Sequence, residues 1–306
     1  MIVTVTPNPA IDRTIRVERL VPGQLNRAHS VMEEAGGKGL NVSRALATEG
    51  IETLAIVPLA SRSAAQFLAL LGSAVPTVVV PIAGEVRVNA SIIGADGTVT
   101  KVNEPGPRIS VSDADAIVTA AAATPAGWIV GCGSLPPGAP RDLYARLAKL
   151  ATADRRVAVD ASGDALAAAV AAGVSLIKPN RDELAALAGR PLESIGEVID
   201  AARLVIARGG AALVSLGVDG AVYVDATRTA HAEAPIGDAS NAVGAGDALL
   251  AGFLAAGARP DSLAVAMAWA VASVRSAGTR MRSVTEADRA AVVVYAHVDP
   301  ARRLRA

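Results

Sequence analysis

An α/β fold built around a mostly parallel sheet is what the order of short apolar runs in this chain predicts. Three observations carry it. Strand-like runs alternate with helical stretches in the rhythm of βαβ units. That rhythm is interrupted once, between about residues 84 and 107, by a hairpin-like insertion. Two glycine-bearing loops, one holding Gly36, Gly37 and Gly39 and the other Gly244 and Gly246, each lead into an apolar helix. At 306 residues the chain has ample length for a large core.

The first strand is the β-branched run Ile2 to Thr6, stopped by Pro7-Asn8-Pro9. Ile15, Val17 and Leu20 alternate roughly with charged residues, as a strand with one wet face does. After the first glycine loop and its helix, which ends near Gly50, come strands at Thr53 to Val57 and Thr77 to Ile82 with a helix over Ala64 to Leu71 between them. Glu85 to Ile93, the turn Gly94-Ala95-Asp96-Gly97 and Thr98 to Val102 form the hairpin-like insertion. Together with residues 13 to 35 it makes a small accessory sheet over one end of the core. Ser112 and Asp115 are spaced as a capping box before an alanine-rich helix. Strands at Trp128 to Cys132, Val157 to Asp160 and Leu176 to Lys178 then alternate with helices at Arg141 to Leu150 and Asp164 to Ala171. A helix opened by Asn180 ends near Gly189, and another spans about Gly196 to Ala207. Ala212 to Leu216 and Ala221 to Val224 are strands joined by the tight turn Gly217-Val218-Asp219-Gly220. Helices are expected at Ala248 to Leu254, Asp261 to Ala277 and Glu286 to Ala296.

Composition narrows the function. Hydrophobic residues make up 52%, yet no uninterrupted apolar run reaches 18 residues, which argues against a transmembrane helix. Met1 to Pro7 lacks the features of a secretory signal, so the cytoplasm is the expected location. Lys+Arg and Asp+Glu are equal at 29 each, leaving no global field to attract nucleic acid or membrane, and aromatics at 2% leave little for base stacking. Cys132 is the single cysteine, which excludes an internal disulfide and argues for a buried thiol; His29, His231 and His297 match no metal spacing. An anionic ligand must therefore be held by a local site.

The glycine loops are where such a site is expected. Gly244 and Gly246 permit close backbone approach, and the free N–H groups of the helix behind them suit an anion. Asp247 in its first turn is compatible with plain helix-start electrostatics and with a general base beside a bound phosphate. Three glycines around Lys38 give a second loop where an ammonium can reach an anion, although the Walker spacing is absent. Asp12 and Ser134 follow strand ends, where ligands of open α/β sheets gather; Asp12 is equally suited to capping a turn. Arg87, Asn89 and Lys101 lie on the insertion, either as solvated strand residues or as a lid over an anionic substrate. Asn180 with Glu183 is also a plain helix capping pair.

Taken in order, these motifs resemble those of the ribokinase-like (PfkB) carbohydrate kinase family. The residues carrying the resemblance are Thr6 to Asp12, Gly36 to Val42, Arg87 to Asn89, Asn103 to Pro107, Gly133 to Gly138, Lys178 to Leu184, Val214 to Ala221 and Val243 to Asp247, which span nearly the whole chain. The resemblance implies a single domain over 1–306: a three-layer αβα core with a β-sheet lid from about 13–35 and 84–107, which in relatives often pairs with a partner's lid in a homodimer. It implies an ATP-dependent sugar-phosphate kinase using Mg²⁺, with a monovalent cation left open, that phosphorylates fructose 1-phosphate at the 6-hydroxyl. Tagatose 6-phosphate or another hexose phosphate is the alternative substrate, and a non-catalytic sugar-phosphate-binding regulator is the alternative in kind. A nicotinamide-dependent oxidoreductase would need Gly-x-Gly-x-x-Gly after the first strand, where this chain has Pro7-Asn8-Pro9.

Carried over by the resemblance, Asp247 matches the catalytic base, and Gly244, Ala245 and Gly246 match its anion hole. Asp12, Gly37, Gly39 and Asn41 match sugar-contacting positions, with Asn89 beside them; Lys38, Arg87, Lys101 and Ser134 match positions around the existing phosphate. Lys178, Asn180 and Glu183 match the element linked to nucleotide phosphates and, through water on Glu183, to magnesium. Ser215, Leu216, Gly217, Val218, Asp219 and Gly220 match a nucleotide-binding turn. The chain departs from the family at Asn241-Ala242, where relatives commonly carry Ser/Asp-Thr, and at Ala161, where threonine is frequent.

Overall fold

The computed structural model describes residues 1–206, 210–235, 244–276 and 280–305. The chain opens with β1 (Ile2–Val5), β2 (Ala10–Val17), β3 (Ala28–Gly36), α1 (Lys38–Thr48), β4 (Thr53–Ala60), α2 (Ser61–Leu71) and β5 (Thr77–Ile82). The insertion follows as β6 (Arg87–Ile93) and β7 (Val99–Asn103), then α3 (Val111–Ala123), β8 (Trp128–Cys132), α4 (Leu143–Ala148), β9 (Arg156–Asp160), α5 (Gly163–Ala171) and β10 (Leu176–Ile177). The remainder comprises α6 (Arg181–Ala188), α7 (Ile195–Val205), β11 (Ala211–Ser215), β12 (Ala221–Val224), β13 (Thr229–Glu233), α8 (Ala245–Ala255), α9 (Leu263–Val274), α10 (Glu286–Ala290) and β14 (Val293–Tyr295).

The large sheet runs β14-β13-β12-β11-β10-β9-β8-β1-β4-β5. From β11 to β5 every neighbouring pair is parallel, whereas β12, β13 and β14 add an antiparallel edge. Alternation along the strands explains the layers, since successive side chains face opposite sides. Ile129 of β8 joins an apolar cluster with Ile117, Leu147, Leu166, Leu184 and Val198 of α3 to α7. Val130, the next residue, joins Val42, Leu46, Phe253 and Trp269 of α1, α8 and α9 on the other face. The result is the three-layer arrangement expected. Cys132 is buried, as expected for an apolar thiol.

The small sheet runs β3-β2-β6-β7, with β2 and β6 parallel and the outer pairs antiparallel. Its register places Asp12 opposite Asn89, and Asn89 opposite Asn103, so these side chains share a face. Ile11, Ala35 and Val86 anchor one end of it on Phe67 and Leu71 of α2.

Several boundaries differ from expectation. The capping box before α3 uses Ser110 and Asp113 rather than Ser112 and Asp115: the same Ser-x-x-Asp spacing occurs twice, and the earlier pair closes the helix. Gly36 ends a strand instead of opening the loop. The largest error is at the last helix, where α10 stops at Ala290 and Val293–Tyr295 is a strand paired with β13. Consecutive β-branched residues suit a pleated edge better than a helix interior, and the strand β13, itself not foreseen, provides the partner.

Candidate active site

Gly244 takes a left-handed conformation (φ 81°) and caps α8, whose Ala245 and Gly246 begin the first turn. Among the described residues no side chain caps this helix start, and a helix start of this kind offers its first N–H groups to what lies in front. The carboxylate of Asp247 sits behind that turn, 7% exposed, and accepts a hydrogen bond at Oδ2 from Asn41 Nδ2 at 2.9 Å. Burial, then the negative charge of Asp160, push the Asp247 carboxyl up to about 6, while Asn41, Lys178 and Lys38 act in the opposite direction. An acid poised there is charged near neutral pH yet basic enough to accept a proton.

Asp160 was missing from the sequence-derived site. It ends β9 with its side chain fully buried, between Lys38 Nζ at 2.9 Å and Lys178 Nζ at 3.2 Å. Lys38 is the first residue of α1, and the facing acid, outweighing burial, holds its ammonium above the ordinary lysine range. Lys178 Nζ would lie 3.3 Å from a Cβ on Gly246, so the lysine crosses directly under the α8 loop. Two acids and two lysines thus interlock at the carboxyl ends of β9 and β10. The only sequence signal for Asp160 was an acid closing the apolar run Val157–Val159 at a strand end, where ligands gather.

The glycines of the first loop are needed by the protein itself. A Cβ on Gly37 or Gly39 would collide with Thr6, at 2.7 and 2.4 Å, and one on Gly36 would overlap the Asp12 carboxylate. This close approach brings α1 against the end of β1. Asp12 accepts from Asn89 Nδ2 at 3.0 Å, and its pKa is raised, chiefly by burial. Arg87 donates to the carbonyls of Asn8 and Glu104, both at 3.1 Å, and Asn8 Nδ2 reaches Ser134 Oγ at 3.4 Å. Lys101 is exposed on β7, on the same sheet face as Asn89 by register.

Buried polar atoms without a hydrogen bond concentrate here. Among the described residues they are Thr6 Oγ1, Asn8 Oδ1, Arg44 Nη2, Arg87 Nε, Asn89 Oδ1 and Asp160 Oδ2, the last having only its ion pair to Lys178; Arg146 Nη1 is the exception elsewhere. Native interiors satisfy such groups with protein partners or ordered water, so their concentration marks this as the most polar part of the interior. Asn8 and Arg44 carry no local sequence signal for this position.

On the opposite side, Asn180 and Glu183 form the capping box of α6: Asn180 Oδ1 accepts from Glu183 N at 2.8 Å and Glu183 Oε2 from Asn180 N at 2.9 Å. The turn Ser215–Gly220 lies beside this helix start, with Ser215 N bonded to Pro179 O at 3.1 Å. Leu216 is buried, Val218 exposed, and Gly217 and Gly220 both have positive φ. Gly220 also packs where a Cβ would strike Ala232 O. Asp219 is buried and paired with Arg305 and Arg302, so its carboxylate serves the protein and not a ligand directly. Among the described residues no cluster of three acidic, histidine or cysteine side chains could hold a metal alone. Asn241-Ala242 lie outside the described residues.

Comparison with known proteins gives the family. The sequence pattern of the pfkB family carbohydrate kinases matches residues 5–286. A 1-phosphofructokinase of Xanthomonas campestris pv. campestris is 39% identical over 264 residues, 83% of this chain and 83% of that protein. A 1-phosphofructokinase of Haloferax volcanii is 38% identical over 92% of this chain and 93% of its own. The crystal structure of phosphofructokinase-2 from Escherichia coli in complex with potassium superposes with a TM-score of 0.86 at 30% identity, covering 94% of this chain and 96% of that one.

Proposed function

The chain belongs to the PfkB family of carbohydrate kinases, and on that premise we propose that it moves the γ-phosphoryl group of Mg-ATP to the 6-hydroxyl of fructose 1-phosphate, giving fructose 1,6-bisphosphate and ADP. It is a sugar-phosphate kinase; the choice of hexose phosphate is the proposal. The observation that carries it is the buried Asp247 in the first turn of α8, held by Asn41 and raised in pKa by burial and by Asp160. Asp12, Asn41 and Asn89 would take sugar hydroxyls, with Gly37 and Gly39 shaping the rim beneath them. Lys38, Arg87, Lys101 and Ser134 would hold the phosphate already present.

Asn41 fixes Oδ2 of Asp247, which leaves Oδ1 to accept the proton of the attacking hydroxyl. Backbone N–H groups of Ala245 and Gly246 face the charge that develops on the transferred group, and Lys178 reinforces them from below. The nucleotide would lie between Lys178, Asn180 and the Ser215–Gly220 turn. Magnesium fits a site built of this kind, since it takes one or two carboxylates plus nucleotide phosphates and needs no all-protein cage; Glu183, through water, is the residue that would hold it. When bound it would neutralise charge on the transferring phosphates. A monovalent cation is kept as an optional cofactor, on the strength of the potassium-bound E. coli relative.

We further treat the chain as one kinase unit over 1–306, cytoplasmic, in which the small sheet is a lid and also the contact with a second copy. Val31, Met32, Val99 and Val102 on that sheet are exposed, which suits pairing between lids. Sedimentation of the purified protein tests this: a monomer at assay concentration rules it out.

The function is tested by ADP release from purified enzyme on fructose 1-phosphate, tagatose 6-phosphate, fructose 6-phosphate and the free sugars. The expected result is the highest kcat/KM on fructose 1-phosphate. Equal turnover of free and phosphorylated sugars would contradict the phosphate site.

A further inference from the structure

The segment after β14 runs back along the start of α7. Gly196 N bonds to Pro300 O at 2.9 Å, Ile195 N to Arg302 O at 3.0 Å, and Leu304 N to Glu193 O at 2.8 Å. A Cβ on Gly196 would come within 2.8 Å of Pro300 O, so the segment is laid directly on the helix. This lacing delivers Arg305 to the turn Gly217–Asp219. There Arg305 N donates to Asp219 Oδ2 at 2.7 Å, Nε to Oδ1 at 2.8 Å, and Nη2 to Val218 O at 2.9 Å. Its own carbonyl accepts from Nη1 of Arg181, the first residue of α6, at 3.1 Å. One residue therefore touches both the Ser215–Gly220 turn and the helix opened by Asn180.

We propose that Arg305 is a positioning residue that braces the two nucleotide-side elements against each other, so that ATP meets a preformed turn. The inference rests on the proposed nucleotide role of Ser215–Gly220. Asp219 fits the brace: its carboxylate is 1% exposed and engages Arg305, with Arg302 Nη2 at 3.6 Å. A buried acid of this kind costs stability unless it is paired, so the docked segment adds to the turn's own bonds, such as Leu216 N to Gly220 O at 2.8 Å, by satisfying Asp219. Without Arg305 the turn is less rigid, and whatever ordering the nucleotide must then supply weakens apparent ATP affinity.

The test is steady-state kinetics on Arg305→Ala, varying ATP and the sugar phosphate separately, with hydrogen exchange of residues 215–220 measured in the presence and absence of ATP. Loss of the charge-assisted contacts should raise the KM for ATP about three- to tenfold, with kcat and the sugar-phosphate KM held within about twofold. Arg305→Lys should recover part of the loss, and Asp219→Asn should add little on top of Arg305→Ala, because the two share one contact. Arg303→Ala, which removes only a surface pair with Glu193, should leave all constants unchanged. An unchanged ATP KM in Arg305→Ala, where ATP still slows exchange at 215–220 in the parent enzyme, overturns the brace alone. Absence of that protection in the parent removes the nucleotide role of the turn, and the inference with it. A parallel rise in both KM values overturns it in favour of a general structural role. Should Arg305→Ala not fold, Arg305→Lys carries the same comparison.

Discussion

Two helices of this protein begin on glycine and face the same site, yet they begin differently. α8 starts at Gly244 and carries Asp247 in its first turn, where the helix dipole favours an acid. α1 starts at Gly37 and carries Lys38 as its first residue, where the same dipole disfavours a cation. Among the described residues neither start is closed by a side chain, whereas α3, α6 and α7 are closed by Ser110, Asn180 and Ser194 in capping boxes. The lysine is tolerated because Asp160 faces it at 2.9 Å. α8 leaves donors and a raised acid for the reacting groups; α1 places a paired cation beside them. In the proposed function the chemical step falls to one helix start and substrate charge to the other, and each half of that proposal can be broken separately.

The largest effect is expected on the α8 side. Asp247→Ala should lower turnover by about 10²-fold or more, the usual size of a general-base contribution, with substrate KM values little changed. Near-normal turnover in a pure, folded variant would remove Asp247 from the chemistry. On the other side, Arg87→Ala should raise the KM for the sugar phosphate by about tenfold or more while kcat falls less, because it deletes charge-assisted donors to an anion. The check is that an unphosphorylated sugar loses nothing comparable; equal losses would contradict the role of Arg87.

The comparison also shows why part of the site was readable from sequence and part was not. Glycines followed by an apolar run announce an open helix start locally, so Gly244 to Asp247 and Gly37 to Asn41 were found. The alternation of strands and helices likewise announced the parallel sheet. Asp160 was not found because its meaning comes from Lys38 and Lys178, which reach it from 122 and 18 residues away along the chain and meet it only at the sheet's carboxyl edge. Asn8 and Arg44 were missed for a similar reason: an unsatisfied atom is a property of the packed interior, invisible in composition. Val293–Tyr295 was misread because an edge strand is decided by its partner, β13, more than by its own period. The glycines at 36, 37 and 39 also leave room for Asp12 and Thr6, a packing demand that only the folded chain displays.

The smallest predicted effect is the most diagnostic of the link between the two helix starts. Asp247 must be unprotonated to accept a proton, so kcat/KM should rise with pH through its pKa of about 6 and level off above it. After burial, the Asp160 charge is the main cause that raises that value, and Lys38 is among the groups that lower it. Asp160→Asn removes a negative neighbour and leaves both lysines, so Asp247 becomes easier to ionise and the acid limb should move to lower pH. Lys38→Met removes a positive neighbour, so the limb should move to higher pH, alongside weaker binding of the sugar phosphate. The two shifts have opposite sign although both variants break the same ion pair. A purely structural role for that pair would damage activity alike in both without moving the limb in opposite directions. The pH dependence of kcat/KM for the parent and the two variants therefore decides whether the α1 start tunes the base on α8 or only holds it in place.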